Sequence, residues 1–152
     1  MKLSLTRRYM FPASHRLFRS DWSEEVNRRI FGKCANPHGH GHNYAVEITV
    51  TGSVDPATGM IVNLAELDAF FQARVLDEFD HANLNEQVPE FRDCIPTTEN
   101  LCRVIFERLR GLERGRIERV RIEETAKNSF EYVAERAPAR ESAEHEFQEE
   151  HT

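Results

Sequence analysis

The sequence predicts one α+β domain in which a four-stranded antiparallel sheet carries two helices on one face. Three observations support this: two alternating stretches near the N-terminus, two amphipathic stretches in the middle, and a hairpin pattern after them. The predicted order along the chain is therefore ββααββ. With 152 residues and 39% hydrophobic content, the chain can bury one sizeable core but is too short for two ordinary domains.

Alternation of apolar and polar residues predicts the first two strands. From Leu3 to His15 the odd positions form a mostly apolar face that ends on a histidine. From His42 to Thr51 the residues at even positions between Tyr44 and Val50 are apolar, and their neighbours are mostly polar. The run from Asp55 to Gly59 contains the proline and glycine of a turn, so the chain should reverse there.

Apolar residues at helical spacing predict the two helices. Asn63, followed three residues later by Glu66, indicates a capped helix that extends to about Phe79. Pro96 and the two threonines after it indicate the start of the second helix, which Gly111 should end.

The remaining pattern predicts one hairpin and one short helix. Residues 117–125 alternate charged with apolar side chains, and residues 128–133 form a second β-like run that could pair with them. Residues 20–29 could form a short helix capped by Asp21 or Ser23. A sheet covered by helices on one face leaves its other face and edges for neighbouring subunits, so we expect oligomerisation.

Composition excludes several functions. The net charge of -6 and the absence of a basic run argue against a nucleic-acid partner, and no apolar run is long enough for a membrane span. The odd set of Cys34, Cys94 and Cys102 does not suggest a secreted disulfide framework, so we expect a cytoplasmic protein with a free thiol. Residues 1–136 should form the domain. Residues 137–152, which carry four of the six net negative charges, should form a disordered tail.

A dense group of metal-binding residue types lies between Cys34 and His42. Side chains two positions apart on an extended backbone point to the same side, so His40 and His42 could bind one metal ion together. His15 closes the apolar face of the first strand and could supply the third ligand from an antiparallel partner. Three imidazoles with one open position are typical of catalytic zinc. His38 and His40 form an alternative pair, but His42 shares the parity of the apolar strand face, which favours the later pair.

Four further residues are candidates for chemistry. Cys34 lies next to Lys33 and near the expected cation, conditions that lower a thiol's pKa, so it could act as a base or nucleophile. A fourth zinc ligand and an inert buried thiol are the alternatives. Asp80 could orient His81 for proton transfer, or the two could be a polar pair at a helix end. Glu124 shares the apolar strand face and needs a partner there unless it reaches solvent.

The segment from Gly32 to Tyr44 resembles the signature of 6-pyruvoyltetrahydropterin synthases and of the related 6-carboxytetrahydropterin synthases. Further similar segments are Phe11–His15, Asp55–Asn63, Leu76–Leu84, Pro96–Asn100 and Ile122–Thr125. The resemblance implies a tunnelling fold (T-fold). It also implies a homohexamer, assembled as a dimer of trimers, with active sites between subunits.

The resemblance also implies roles for individual residues. The zinc ligands would be His15, His40 and His42, the catalytic thiol Cys34, the proton-transfer pair Asp80 and His81, and the pterin anchor Glu124. Thr97, Thr98 and Glu99 match the loop and helix start on the pterin side of the family's site. A pterin's amino-pyrimidinone edge presents two parallel N–H donors, which a carboxylate can accept together.

The family implies a reaction on 7,8-dihydroneopterin triphosphate that yields 6-pyruvoyltetrahydropterin and triphosphate. The related carboxy-forming enzymes of queuosine biosynthesis cleave the side chain and release acetaldehyde instead. Five residues separate Cys34 from His40, as in the 6-pyruvoyl type. If His38 and His40 were the metal pair, three residues would separate Cys34 from the first metal ligand, as in many carboxy-forming relatives. A non-catalytic oligomer stabilised by zinc is the alternative of another class.

Overall fold

The computed structural model describes residues 3–135, and the predicted tail, 137–152, lies outside them. Within this range five strands form one mixed sheet in the order β3-β1-β2-β4-β5. The strands are β1 (Leu3–His15), β2 (His40–Gly52), β3 (Ala82–Asn83), β4 (Arg116–Thr125) and β5 (Asn128–Val133). β3 is parallel to β1, and the other neighbours are antiparallel. The predicted four-stranded antiparallel sheet is therefore wrong by one strand, because β3 is too short to show an alternating pattern.

The described helices are α1 (Glu24–Phe31), α2 (Leu64–Phe71), α3 (Asp77–Phe79), α4 (Leu84–Gln87) and α5 (Thr98–Arg108). Ser23 caps α1, Asn63 caps α2 and Thr97 caps α5, each through a side-chain oxygen that accepts backbone N–H groups. A π-helical turn over Gln72–Leu76 joins α2 to α3, so the predicted helix from Asn63 to about Phe79 is continuous. The order ββααββ omits the short elements β3 and α4, and α1 corresponds to the short helix expected over residues 20–29, with Ser23 as its cap.

The hydrophobic core lies between one face of the sheet and two helical segments, α2–α3 and α5. It contains Phe11 of β1, Tyr44, Val46, Ile48 and Val50 of β2, Leu67, Phe71, Val75 and Phe79 of the first segment, Leu101, Val104 and Ile105 of α5, and Val120 and Ile122 of β4. The face that a strand residue occupies thus decides whether it reaches the core. Among residues 3–135, no helix is both long and apolar enough to cross a membrane.

The other face of the sheet carries a ladder of charges. Arg8 pairs with Glu47 at 3.0 Å and with Glu123 at 2.9 Å, and Arg121 contacts the same two carboxylates at 3.2 and 3.0 Å. These side chains come from three adjacent strands, β1, β2 and β4. This face is therefore the charged side of the sheet, opposite the face that carries the core.

Arg108, near the end of α5, ties this helix to two neighbouring segments. Its guanidinium donates two hydrogen bonds to the Glu90 carboxylate, both at 2.7 Å, and a third to Glu78 at 2.8 Å. It also lies over the Phe79 ring, 4.8 Å from the ring centroid. The hydrogen bond from Arg108 holds the pKa of Glu90 below its ordinary value.

Candidate metal centre and active site

Three histidines meet where β1 ends and β2 begins. His15 lies directly opposite His40 in the antiparallel pairing, and His42 lies opposite Ala13, one step along the same face. The Nε2 atoms of His15 and His40 are 3.1 Å apart, and one ligand atom from each of the three side chains lies within 4.8 Å of the others. We call His15, His40 and His42 the histidine group.

His38 lies outside this group. It is exposed, precedes the first residue of β2, and its backbone N–H donates to the Asn36 side chain. Gly39 then turns the chain into the strand with a φ of +69°, and a Cβ there would lie 2.8 Å from the His15 carbonyl oxygen. The structure thus brings His40 and His42, rather than His38, to His15.

His15 is held in one orientation by the protein backbone. Its ring is 1% exposed, and Nδ1 lies 2.8 Å from the Pro96 carbonyl oxygen and 3.3 Å from the Tyr44 hydroxyl. Because a carbonyl can only accept, Nδ1 carries the proton and Nε2 is left with its lone pair toward the group. Burial lowers the pKa of His15 and of His40, which favours the neutral imidazole that binds metals.

The Nε2 atom of His42 is buried and has no hydrogen-bond partner among residues 3–135. The nearest carboxylate oxygen, Glu124 Oε1, is 3.7 Å away, too far for a hydrogen bond. A buried polar atom without a partner is costly, and a metal ion is one group that would satisfy it. Three imidazole nitrogens at this spacing fit a zinc ion that keeps an open coordination position.

The carboxylate beside the histidine group is held by α5. Glu124 lies near the end of β4, and Thr98, which is 3% exposed, donates a hydrogen bond from its hydroxyl to Glu124 Oε1 at 2.7 Å. Thr97 caps the same helix by accepting the Asn100 N–H at 3.3 Å. Glu99 is exposed in the first turn of α5. The structure thus brings Thr98 together with Glu124 and leaves Glu99 at the surface.

Cys34 lies in a 3₁₀ turn, Gly32–Ala35, which we call the Cys34 turn. Among the protein's own groups, burial raises the pKa of Cys34 and the charge of Glu124 raises it further, so the lowered thiol pKa expected beside a cation stays a prediction. Lys33 is exposed and does not offset these effects. Among the described residues the thiol is not part of the group of ligand atoms within 4.8 Å, so a role as fourth ligand finds no support.

The other two cysteines differ from Cys34 in their surroundings. All three thiols are free, which confirms the expectation of at least one free thiol. Burial raises the pKa of Cys102 to about 12, so this thiol stays protonated and inert. Cys94 is half-buried and contacts the Ile95 carbonyl.

Asp80 and His81 form a contact with each other but not with the histidine group. His81 Nδ1 lies 2.8 Å from Asp80 Oδ1, and the His81 side chain is 79% exposed. Its backbone has a φ of +58°, unusual for a residue with a side chain, and donates a hydrogen bond to the Pro12 carbonyl at 2.7 Å. His81 borders a shallow depression that Ser14, Asn43 and His42 also line.

A cavity of about 800 Å³ opens beside His15, with Arg16, Asn85, Cys94 and Pro96 among its lining residues. It is large enough for a small ligand. Neither Cys34 nor Glu124 lines it. The cavity therefore does not by itself identify a substrate site, and the residues around Glu124 indicate more directly where a substrate could bind.

Sequence reasoning missed two groups at this site. The parity that Tyr44 shares with His42 could have placed its hydroxyl beside the histidine group. The Pro96 carbonyl offered no such signal, because its contact with His15 joins residues 81 positions apart.

Comparison with known proteins connects this geometry to one family. The family model described as 6-pyruvoyl tetrahydropterin synthase matches residues 4–135. The human protein named 6-pyruvoyl tetrahydrobiopterin synthase is 45% identical over 132 residues, which are 86% of this chain and 91% of the human one. A putative 6-carboxy-5,6,7,8-tetrahydropterin synthase of Archaeoglobus fulgidus is 40% identical over 86 residues, 56% of this chain and 67% of that one.

A solved structure agrees with the sequence comparison. The structure of Caenorhabditis elegans 6-pyruvoyl tetrahydropterin synthase superposes with a TM-score of 0.83 at 38% identity, covering 89% of this chain and 97% of that chain. The resemblance seen in the sequence is confirmed, and the chain belongs to the 6-pyruvoyl tetrahydropterin synthase family.

Proposed function

We propose that this chain is a zinc-dependent lyase that converts 7,8-dihydroneopterin triphosphate into 6-pyruvoyltetrahydropterin with loss of triphosphate. The observation that carries the proposal is the histidine group with Glu124 and Thr98 beside it. The 45% identity to the human protein named 6-pyruvoyl tetrahydrobiopterin synthase supports it. We further propose that residues 1–136 form the catalytic domain and that the enzyme works in the cytoplasm.

The histidine group would hold the zinc ion. When bound, zinc would polarise the side-chain hydroxyls of the substrate and make the attached C–H bonds more acidic. The protein's contribution is to favour the neutral imidazoles of His15 and His40 by burial, which lowers their pKa, and to fix the His15 ring through the Pro96 carbonyl. Both features favour metal binding without a local rearrangement.

Glu124 would anchor the pterin ring. A carboxylate has about four lone-pair sites, and the Thr98 hydroxyl takes one of them on Oε1. The remaining sites could accept the two parallel N–H donors of the amino-pyrimidinone edge. We assign Thr97 and Glu99 to the pterin side of the site by family resemblance, with Thr97 acting through its cap on α5.

Cys34, Asp80 and His81 would move protons. Burial and the charge of Glu124 raise the pKa of the Cys34 thiol, and a cation nearby would help it to release its proton and act as a base. Asp80 and His81 are exposed, and His81 shares a shallow depression with His42 of its own chain. Their exposure supports an active site completed between chains, as in the proposed homohexamer built as a dimer of trimers.

One alternative reaction has an observation in its favour. The similarity to the Archaeoglobus protein named as a putative 6-carboxy-5,6,7,8-tetrahydropterin synthase suggests side-chain cleavage, which would release acetaldehyde. The spacing argues for the 6-pyruvoyl type: five residues separate Cys34 from His40, and the exposed His38 does not join the histidine group.

Mass spectrometry of the products from 7,8-dihydroneopterin triphosphate separates these possibilities. We expect the 6-pyruvoyl product from the wild-type protein, little product from Cys34→Ala, and wild-type turnover from the matched thiol variant Cys94→Ala. A carboxy product with acetaldehyde would establish the alternative reaction. Absence of product from zinc-loaded wild type would favour a non-catalytic oligomer, and full turnover by Cys34→Ala would eliminate the thiol from the mechanism.

A further inference from the structure

The Cys34 turn lies outside the sheet, yet two hydrogen bonds tie it to the residues that directly follow His15. The Leu17 N–H donates to the Cys34 carbonyl at 2.8 Å, and Arg16 Nε donates to the Ala35 carbonyl at 3.0 Å. The segment directly after His15 therefore holds the backbone of the Cys34 turn.

The Arg16 guanidinium is held by several neighbouring groups. Nη2 donates to the Glu24 carboxylate at 3.1 Å, at the start of α1, and the guanidinium lies over the Phe18 ring, 4.2 Å from its centroid. Only 19% of the side chain is exposed. A planar guanidinium that contacts two acceptors and one ring has little freedom to move.

The Arg16 backbone is fixed as well. Its N–H donates to Asn85 Oδ1 at 2.7 Å, and its carbonyl accepts from Asn85 Nδ2 at 2.9 Å. The Asn85 amide therefore pairs with Arg16 as a neighbouring strand would, directly beyond the last residue of β1. The contact from Arg16 to the Cys34 turn thus starts from a rigid backbone.

We propose that Arg16 is a positioning residue that fixes the Cys34 thiol relative to the histidine group. This inference rests on the proposed role of Cys34 in proton transfer. Small displacements of a reacting group have large effects on rate, so the precision of this turn matters more for turnover than for substrate affinity. Lysine keeps the charge but lacks the planar fork, so it cannot bond both the Ala35 carbonyl and Glu24 in the same way.

The test compares Arg16→Lys with Arg19→Lys in the zinc-loaded protein. Arg19 is the matched control, because it lies in the same loop, bonds Asp21 at 2.7 Å and packs over Trp22. For Arg16→Lys we expect kcat to fall about tenfold to a hundredfold with KM and zinc content unchanged. We also expect faster alkylation of Cys34 by iodoacetamide, measured by peptide mass spectrometry, because the loosened turn exposes the thiol.

A second variant, Glu24→Gln, removes the charge that holds the Arg16 guanidinium but leaves its donor to Ala35 in place. We expect a smaller change in the same direction for kcat and for Cys34 alkylation. Unchanged kcat and alkylation in Arg16→Lys would overturn the proposal, as would a parallel loss of zinc, which would assign Arg16 to the metal site. If wild type forms no pterin product, the proposed function fails, but the alkylation rates still decide whether Arg16 positions the thiol.

Discussion

The hydrogen bond from Thr98 to Glu124 offers a direct test of the proposed pterin anchor. Thr98→Val removes the hydroxyl and keeps the shape of a side chain that is 3% exposed. The lost bond, 2.7 Å long, has a charged acceptor, so its removal should lower the free energy of unfolding by about 1.5–3 kcal/mol. Without this bond the carboxylate is free to rotate before the pterin binds.

Binding must then order the Glu124 side chain, which costs about 0.5–1.5 kcal/mol and reduces affinity by roughly two- to tenfold. We would measure pterin affinity by titration calorimetry and stability by denaturant unfolding, both at pH 7 with zinc bound and at fixed protein concentration. Thr98→Ser keeps the hydroxyl, so it should retain wild-type affinity and lose about 0.8 kcal/mol of stability with the methyl group. Equal affinity of Thr98→Val and wild type would refute the idea that Thr98 orders the anchor.

Arg108→Met should lower the free energy of unfolding by about 1.5–3 kcal/mol, because it removes the charged hydrogen bonds to Glu90. The control Arg110→Met, at an exposed ion pair, should change this free energy little. Denaturant unfolding measures both. The folded-state pKa of Glu90 lies below 4.5, so its contribution to stability is present above pH 4.5 and is lost as pH falls through the folded value. The free energy of unfolding of Arg108→Met should therefore fall less steeply with decreasing pH below pH 4.5 than that of wild type. Parallel plots of this free energy against pH would argue against the Arg108–Glu90 pair. Gly39→Ala should lose zinc and unfold at lower denaturant concentration, because its Cβ would collide with the His15 carbonyl oxygen. Gly59 has a similar φ but open space around it, so Gly59→Ala should lower the free energy of unfolding by only about 1–2 kcal/mol. Equal zinc content and stability of the two glycine variants would contradict this explanation.

Alternation and parity predicted much of the fold and the meeting of the three histidines of the histidine group. A period of two placed His40 and His42 on the side of the sheet that faces the core, and the antiparallel pairing brought His15 to them. The same argument placed Glu124 on the core face, where it contacts Thr98. These features were accessible because they depend on local geometry along strands of 10 to 13 residues.

Other features depend on contacts between distant segments, and local patterns contain little information about them. The two-residue strand β3 exists because Ala82 and Asn83 pair with the end of β1. The sign of the pKa shift at Cys34 follows from its burial and from Glu124, which is 90 positions away, rather than from its neighbour Lys33. Likewise, the position of His81 depends on its backbone hydrogen bond to the Pro12 carbonyl, 69 positions away.

Zinc stoichiometry in two histidine variants tests the metal site most directly. Elemental analysis of wild type, His38→Ala and His42→Ala, purified in parallel, should find one zinc ion per chain in wild type and in His38→Ala. The His42→Ala protein should lose most of its zinc, because the buried Nε2 of His42 belongs to the ligand group. Zinc retained in His42→Ala but lost from His38→Ala would contradict the assignment of His15, His40 and His42 as the metal ligands.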